Sequence, residues 1–185
     1  MAGPLPFRGT RVTLRRLRAT DLPAFQAYRG DPELGRYQGW QPMDDAAAAA
    51  FLAEMAAAPF CAPGAWCQIG VADAAGDTLL GDIGLHLAAD GTTLHVGYTL
   101  ARAAQGAGLA SEAVRLAVDT VFAHTAVLQV LAITDVRNLA SVRLLQRLGF
   151  RCTATQAVVF HGEPCREHHF VFDRPRPGTA LASPT

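Results

Sequence analysis

A glycine-rich turn at residues 105–110, Gln-Gly-Ala-Gly-Leu-Ala, is the segment of this sequence whose residue types point most directly to chemistry. Gly106 and Gly108 allow main-chain N–H groups to face one point, and they allow a ligand to approach without meeting a Cβ atom. Free N–H groups at the start of a helix bind anions because the helix dipole lies behind them. The turn therefore predicts a pyrophosphate site that requires no basic side chain.

Two other interpretations of the turn remain open. One is a tight turn that does no more than start a helix. The other is a dinucleotide-binding fingerprint, which would place a third glycine or alanine at Ser111 and an acid about 20 residues further on. The next acid after Glu112 is Asp119, so the G-x-G alone is weak support for a nucleotide-dependent oxidoreductase.

Composition excludes several classes of function. All sixteen basic residues are arginine, so a phosphate loop with its lysine and a lysine Schiff base are both excluded. The formal net charge of zero disfavours a general nucleic-acid binder. The four cysteines form no C-x-x-C pair and no zinc-site spacing with the six histidines, which predicts free thiols in a reducing cytoplasm and no metal site.

Hydropathy predicts neither a membrane span nor a signal peptide. No uncharged apolar run approaches the ~20 residues that cross a bilayer. The first residues also lack the apolar region that a secretory signal requires. We therefore expect a chain that acts in the cytoplasm.

Periodicity predicts the elements that position the glycine-rich turn. Alternating apolar and polar residues indicate a strand at 11–17, and capping and propensity indicate helices from Thr20 to Tyr28, breaking near Gly30 and Pro32, and from Asp44 to Ala58. Three strands are then expected at 68–72, 78–87 and 94–100, with Asp90-Gly91 as a hairpin turn.

The second half of the chain continues this alternation. The glycine-rich turn opens a helix with a broad apolar side, and residues 127–133 are nearly all apolar, which predicts a strand buried on both faces. Asn138 caps another helix, which Gly149 ends. Two last strands are expected at about 152–160 and 166–172. This order predicts one α+β domain, residues 1–173, built on a mixed sheet, and a disordered tail at 174–185.

At the glycine-rich turn the sequence resembles the GNAT N-acetyltransferase superfamily, whose cofactor signature Arg/Gln-x-x-Gly-x-Gly/Ala is matched at every fixed position by residues 105–110. Residues 10–15 resemble the opening of its RimJ/RimL-type branch, which acetylates N-terminal residues of ribosomal proteins. Other matching segments follow in the same order, and the resemblance covers residues 8–173: Asp31-Pro32-Glu33 with Arg36-Tyr37, Gly97-Tyr98, Asn138-Leu139-Ala140-Ser141 and Leu148-Gly149-Phe150.

The resemblance implies a mostly antiparallel sheet flanked by helices, with two strands splayed apart at the acetyl-CoA site. It implies that the pantetheine arm pairs with the strand ending at Leu100. Asn138 is implied to contact acetyl-CoA as well as to cap its helix, and Ser141, otherwise a solvent-facing hydroxyl, to protonate the leaving thiolate. Pyrophosphate binding is assigned to the main chain of Gln105, Gly106, Ala107, Gly108 and Ala110.

The sequence leaves the identity of the general base open. Many RimJ/RimL-type sequences have a glutamate two residues before the Gly-Tyr pair, and here that position is His95. His95 and His86 are candidate bases because imidazole accepts a proton near neutral pH, although either is as readily an ordinary strand residue. Asp82 shares a strand face with His86 and ranks below them. Glu167, near the last strand, is a further candidate for the base.

The expected function is transfer of an acetyl group from acetyl-CoA to a primary amine, foremost a protein N-terminal α-amine. Tyr37 and Trp40 are expected either to contact that substrate or to close the core. The alternatives are acetylation of a small-molecule amine, such as an antibiotic, polyamine or metabolite, and a non-catalytic acyl-CoA-binding module. Related enzymes are often homodimers, and no metal, nucleic acid or membrane is expected as a partner.

Overall fold

An eight-stranded mixed sheet organises residues 4–175, the part of the chain that this computed structural model describes. The strands lie in the order β1-β2-β3-β4-β5-β6-β8-β7, and every neighbouring pair is antiparallel except β5 and β6. This confirms the predicted α+β fold with a mostly antiparallel sheet. The strands are β1 Phe7–Arg8, β2 Val12–Arg16, β3 Trp66–Asp73, β4 Leu79–Leu87, β5 Thr93–Leu100, β6 Gln129–Asp135, β7 Arg151–Phe160 and β8 Glu163–Asp173.

Helices precede and follow the strands much as the periodicity predicts, with one addition. They are α1 Leu22–Arg29, α2 Pro32–Gly35, α3 Asp45–Ala57, α4 Leu109–His124 and α5 Leu139–Arg147. The addition is α2, which lies where the sequence predicts only a break. Asp31 caps it by accepting hydrogen bonds from the N–H groups of Glu33 and Leu34, and Pro32 occupies its first turn, where a missing N–H costs nothing.

The helices cover the two faces of the sheet unequally. On one face, called here the α4 face, α4 and α5 pack over buried residues that include Ile83, Leu85 and Val96. On the opposite face, called the α1 face, α1 and α3 form a smaller cluster that includes Phe25 and Leu52. Because α1 and α3 lie over β3 and β4, they leave the α1 face of the later strands less covered.

The prediction that residues 127–133 form a strand buried on both faces is wrong. Val130 and Ala132 are buried on the α4 face. Leu131 and Ile133 point to the α1 face, where Ile133 is 44% exposed. The apolar run therefore reflects two different environments, one of them open to solvent.

β5 and β6 separate after a short paired stretch. Their register covers only residues 93–95 of β5 and 129–131 of β6. Beyond His95 and Leu131 the two strands diverge, and the gap between them is called the splay here. A short 3-10 turn at Arg102–Ala104 then leads from β5 into the glycine-rich turn and α4.

The end of the described chain is anchored. Arg174 donates hydrogen bonds to the carbonyl oxygens of Val127, Phe122 and Thr125 at 2.6–2.7 Å. Residues 176–185, most of the predicted tail, lie outside the described residues, so the prediction about them stays a prediction. None of the helices between residues 4 and 175 is long and apolar enough to span a membrane.

Candidate active site

A cleft of about 640 Å³ passes through the splay. On the α1 face it is lined by α2 and the loop after it, including Tyr37 and Gln38. On the α4 face it is lined by the glycine-rich turn and α5. The cleft therefore connects the two faces of the sheet at the one place where neighbouring strands part within residues 4–175.

The glycine-rich turn presents its main chain to this cleft. Gly106 and Gly108 have φ angles of 80° and 79°, which only glycine adopts readily. A Cβ built on Gly106 would meet no atom within 4 Å, so the space beside the turn is free. Among the described residues, none of the N–H groups from Gly106 to Ser111 donates to a protein acceptor. A row of free donors at a helix N-terminus suits a phosphate group.

Arg11, which is distant from the glycine-rich turn in the sequence, supports the turn through side-chain hydrogen bonds; these contacts are called the brace here. Its Nε donates to Glu112 at 2.9 Å, and its Nη1 donates to the carbonyl of Ala107 at 2.7 Å. Burial acts to raise the pKa of Glu112, but hydrogen bonds from Arg11 and Val12 outweigh it and lower the pKa. Glu112 thus stays ionised in the first turn of α4. The sequence reasoning missed this brace.

The β5 edge of the splay is held by two glutamine side chains. Gln105 Nε2 donates to the carbonyl of Leu100 at 2.9 Å, and Gln38 Nε2 donates to the carbonyl of Tyr98 at 3.3 Å. Gln105, Gly106, Gly108, Ala110 and Leu100 all line the cleft, as the resemblance implies. Ala107 does not line it and instead faces Arg11 through its carbonyl group.

Two hydroxyl groups meet on the α4 face of the cleft. The hydroxyl oxygen of Tyr98 lies 2.7 Å from Ser141 Oγ. Asn138 caps α5 by accepting a hydrogen bond from the Ser141 N–H at 3.2 Å, and both residues line the cleft. Burial raises the pKa of Tyr98 to about 12, although the hydrogen bond with Ser141 opposes the rise. The sequence placed Ser141 in the site but gave Tyr98 no role.

The candidate bases His95 and His86 lie side by side on the α1 face. They are directly paired across β4 and β5, with ring centroids 6.3 Å apart. His95 is the last residue of β5 that pairs with β6, so it stands at the apex of the splay. Burial, followed by the charges of His86 and His169, lowers the pKa of His95 below 6.5. Neither His95 nor His86 is among the residues that line the cleft.

The other sequence candidates have different surroundings. Tyr37 lines the cleft, whereas Trp40 does not line it and packs under the Arg29 guanidinium, whose Cζ lies 4.6 Å from the Trp40 ring centre.

The acidic candidate Asp82 is 1% exposed and accepts hydrogen bonds from Arg29 at 2.8 Å and Gln68 at 2.6 Å. The carboxylate oxygens of Asp82 are thus occupied by donors from the protein, away from the cleft lining. Glu167 pairs with Asp135 on the β8 side of the splay.

The charged residues that line the cleft are mostly basic. Arg102, Arg143 and Arg147 line it together with one acid, Glu33. Arg102 also binds Asp31 at 2.9 Å. The excess of positive charge suits a ligand that carries several phosphates. Residues 4–175 contain no cluster of three or more potential metal ligands.

Comparison with known proteins gives a family for this arrangement. Residues 11–151 match the model of the acetyltransferase (GNAT) domain. The probable N-acetyltransferase YjcK of Bacillus subtilis (strain 168) is 37% identical over 85 residues, which are 45% of this chain and 47% of that protein. The match thus spans about half the length of this curated relative.

Solved structures show the same fold. A GNAT-family acetyltransferase from Bacillus anthracis superposes with a TM-score of 0.81 at 18% identity, over 91% of this chain and 98% of that one. RimL, a ribosomal L7/L12 α-N-protein acetyltransferase in complex with coenzyme A, superposes with a TM-score of 0.77 at 14% identity, over 91% and 98% of the two chains. At these identities the likeness shows the fold alone. On the family match, which covers most of its length, the chain belongs to the GNAT acetyltransferase family.

Proposed function

We propose that the protein is an acetyl-CoA-dependent N-acetyltransferase that acts on a primary amine, foremost the α-amine of a protein N-terminus. The observation that carries the proposal is the row of free N–H groups from Gly106 to Ser111, which opens onto the same cleft as the Tyr98–Ser141 hydroxyl pair. Membership of the GNAT family supports the same reaction. The RimJ/RimL-type opening at residues 10–15 supports the choice of acceptor.

The residues of the cleft fit acetyl-CoA, which supplies an activated acetyl group and a thiolate leaving group. The N–H groups of the glycine-rich turn bind its pyrophosphate. Arg143 and Arg147, which line the cleft beside the turn, provide positive charge for the remaining phosphate. The N–H groups of β5 that face the splay, together with the Asn138 side chain, hold the pantetheine arm.

Tyr98 and Ser141 deliver the proton that the leaving sulfur requires. Because the pKa of Tyr98 is raised to about 12, its hydroxyl stays protonated at neutral pH. Tyr98 donates that proton to Ser141 Oγ, which leaves the Ser141 O–H free to donate toward the sulfur. General-acid assistance of this kind contributes about 10²–10⁴-fold in rate.

His95 lies at the apex of the splay and does not line the cleft, so it accepts the proton that the amine loses through a bridging water. The lowered pKa keeps its imidazole mostly neutral at neutral pH, so it is ready to act as a base. An α-amine has a pKa of about 7.7–8.0 and is partly neutral near pH 7, whereas a lysine or polyamine amine, near 10.4, is almost wholly protonated. A weak base such as His95 therefore suits an α-amine better than a lysine side chain or a polyamine.

The test is release of free coenzyme A thiol from acetyl-CoA in the presence of N-terminal peptides. The expected result is thiol release with a peptide that has a free α-amine and none with the same peptide carrying an N-acetyl group. Spermidine in the same assay tests the small-amine alternative. A rise in Tm with acetyl-CoA but no thiol release with any amine would instead identify a non-catalytic acyl-CoA-binding module.

A further inference from the structure

The hydrogen bonds at the two ends of β6 show which of its main-chain groups face the splay. The Arg174 N–H donates to the Leu128 carbonyl at 2.8 Å. At the other end of the strand, the Val136 N–H donates to the Arg166 carbonyl at 3.0 Å. Both bonds continue the antiparallel register of β6 with β8, in which every second residue is hydrogen-bonded to its partner. The even-numbered residues of β6 therefore bind β8, and the odd-numbered residues direct their N–H and C=O groups toward β5.

The main chain of Ile133 faces the splay without a strand partner. Pairing of β6 with β5 ends at His95 and Leu131, two residues before Ile133. Within residues 4–175, no loop or side-chain group is hydrogen-bonded to the N–H or the C=O of Ile133, which lines the cleft. The next odd-numbered residue differs, because the carbonyl of Asp135 accepts from the Asn138 N–H at 3.0 Å. Ile133 thus offers an unused donor and an unused acceptor, groups that a folded protein normally pairs.

The β5 edge of the splay has a different hydrogen-bonding character. The side chains of Gln38 and Gln105 already occupy the carbonyl groups of two of its residues, Tyr98 and Leu100. At these two residues the main-chain groups that stay free are N–H donors, which suit the carbonyl groups of a pantetheine arm. Ile133 presents a donor and an acceptor from one residue. This combination matches a ligand that carries an N–H and a C=O on the same side.

The main chain of Ile133 is accessible from the α1 face. Continuing the register of β5 and β6 places Gly97 level with Ile133, and both residues line the cleft. Gly97 shares the α1 face with His95, and a Cβ added to Gly97 would meet no atom within 4 Å. The Ile133 side chain lies on the same face and is 44% exposed. An acceptor can therefore reach Ile133 from the side of the sheet opposite α4 and α5.

We propose that the N–H and C=O of Ile133 bind the carbonyl and the α-amine of the acceptor's first residue, so that the enzyme recognises an α-aminoacyl group. The proposal rests on the proposed function. The nitrogen and the carbonyl of an extended residue lie on one side, where they can exchange two hydrogen bonds with an antiparallel partner. One N–H of the neutral amine then donates to the Ile133 carbonyl, and the nitrogen lone pair stays free for the acetyl carbon. Spermidine and lysine side chains lack the neighbouring carbonyl and can make only one of these bonds.

The experiment compares three acceptors by kcat/KM for thiol release, each corrected to the fraction of neutral amine. They are an alanyl peptide, the same peptide with sulfur in place of its first carbonyl oxygen, and a β-alanyl peptide. Sulfur is a weak hydrogen-bond acceptor, so the thioamide should react about three- to tenfold more slowly. The β-alanyl peptide should react about tenfold more slowly, because its extra methylene separates the amine from the carbonyl. A thioamide at the third residue of the peptide is the matched control and should have no effect.

Ile133→Pro tests the protein side of the same hydrogen bond. Proline removes the N–H that faces the splay and no hydrogen bond to β8, and strands tolerate proline at such positions. In Ile133→Pro the alanyl peptide and its thioamide should react at equal rates, because the contact that distinguishes them is gone. Ile133→Val keeps the N–H and should keep the difference. The acceptor comparison uses the unaltered enzyme, so it decides the proposal if Ile133→Pro does not fold.

Equal kcat/KM for the alanyl peptide and its thioamide in the unaltered enzyme would overturn the site at Ile133 and leave the proposed function standing. A raised Kd of acetyl-CoA in Ile133→Pro, with the peptide preference kept, would assign this edge to the pantetheine arm and would also overturn the site. Calorimetry of both peptides with the enzyme saturated with coenzyme A gives the same comparison without turnover. Tighter binding of the alanyl peptide than of its thioamide, with no thiol release, would overturn the proposed function and leave the site standing.

Discussion

Two hydroxyl groups from different elements, Tyr98 on β5 and Ser141 on α5, are in hydrogen-bonding contact in the cleft. Both hydroxyl groups are weak acids, since the pKa of Tyr98 is raised to about 12 and an alcohol is less acidic than a phenol. Either hydroxyl can donate across their 2.7 Å contact; in the proposed mechanism Tyr98 donates, and the Ser141 proton is then free to face the sulfur. A pair of this kind acts as a unit, so the loss of either member removes most of its effect.

We expect Ser141→Ala to lower kcat about 100-fold and Tyr98→Phe to lower it about tenfold, because in the proposed mechanism the serine is the group that donates to the sulfur. The double variant should be little slower than Ser141→Ala alone. Acetyl-CoA affinity, measured by calorimetry, should change less than threefold in each. Thr153→Ala, an exposed hydroxyl on β7, is the control. An unchanged kcat in Ser141→Ala would remove the residue from the mechanism.

The imidazole of His95 titrates below pH 6.5 because burial and the neighbouring His86 and His169 disfavour its charged form. Its basic form therefore predominates above pH 6.5 and is lost as the pH falls through the lowered pKa. The α-amine of the acceptor titrates separately, at about 7.7–8.0. The two ionisations can be resolved in one pH profile.

For a peptide acceptor, log kcat/KM should rise with a slope of two below the pKa of His95 and with a slope of one from there to about pH 8. In His95→Asn the acid segment should keep a slope of one, and the rate at neutral pH should fall about 100-fold. His86→Asn is the matched comparison and should keep both segments. If His86→Asn instead loses one unit of slope in the acid segment and His95→Asn keeps both segments, His86 is the base.

At the scale of elements, β2 and α4 are joined through the residue that precedes the strand. Arg11 binds both Glu112 in the first turn of α4 and the carbonyl of Ala107 in the glycine-rich turn. The backbone N–H of Arg11 also donates to Glu112, at 2.7 Å. The row of N–H groups is thus held in place by contacts from outside its own loop.

Arg11→Ala should raise the Kd of acetyl-CoA about tenfold, because the turn loses the brace that preorganises its N–H groups. kcat at saturating acetyl-CoA should change little, since the hydroxyl pair is untouched. Arg11→Lys should not restore affinity, because an ammonium group lacks the fork that reaches two acceptors. Arg8→Ala, an exposed arginine on β1, is the control. An unchanged Kd would show that the turn holds its shape without Arg11.

The contrast between local and distant contacts explains what the sequence predicted. The glycine-rich turn and the cap formed by Asn138 depend on neighbouring residues, so their spacing was enough to identify them. The brace formed by Arg11 joins residues 101 positions apart, and no periodicity reports such a contact. The apolar run at 127–133 misled for a related reason, since apolar composition does not distinguish a covered face from a face open to solvent.

Short helices show the same limit of prediction from sequence. The four-residue helix α2 carries its own signal, because Asp31 and Pro32 are a good cap and first residue, but Gly30 and Pro32 together favoured a break. The position of α2 determines the shape of the cleft on the α1 face, since Glu33 and Leu34 line the cleft there. Whether α2 reaches the cleft depends on how α1 docks, and that is a property of the whole fold.

At the scale of the whole molecule, a buried carboxylate joins α1 to the sheet. Asp82 on β4 accepts hydrogen bonds from Arg29 and Tyr28 at the end of α1 and from Gln68 on β3. It therefore fixes α1, and α2 after it, over the α1 face beside the splay. Removal of one member of a buried ion pair leaves the other charged and unsolvated, which costs about 3–5 kcal/mol.

Asp82→Asn should accordingly lower the free energy of unfolding in urea by about 3–5 kcal/mol, a large part of the 5–15 kcal/mol typical of a folded domain. Asp82→Asn combined with Arg29→Met should lose less than Asp82→Asn alone, because no unpaired charge then stays buried. Asp173→Asn breaks an exposed ion pair with Arg151 and should have little measurable effect. Equal losses for Asp82→Asn and Asp173→Asn would mean that α1 docks through its apolar cluster alone, and that the position of α2 at the cleft does not depend on Asp82.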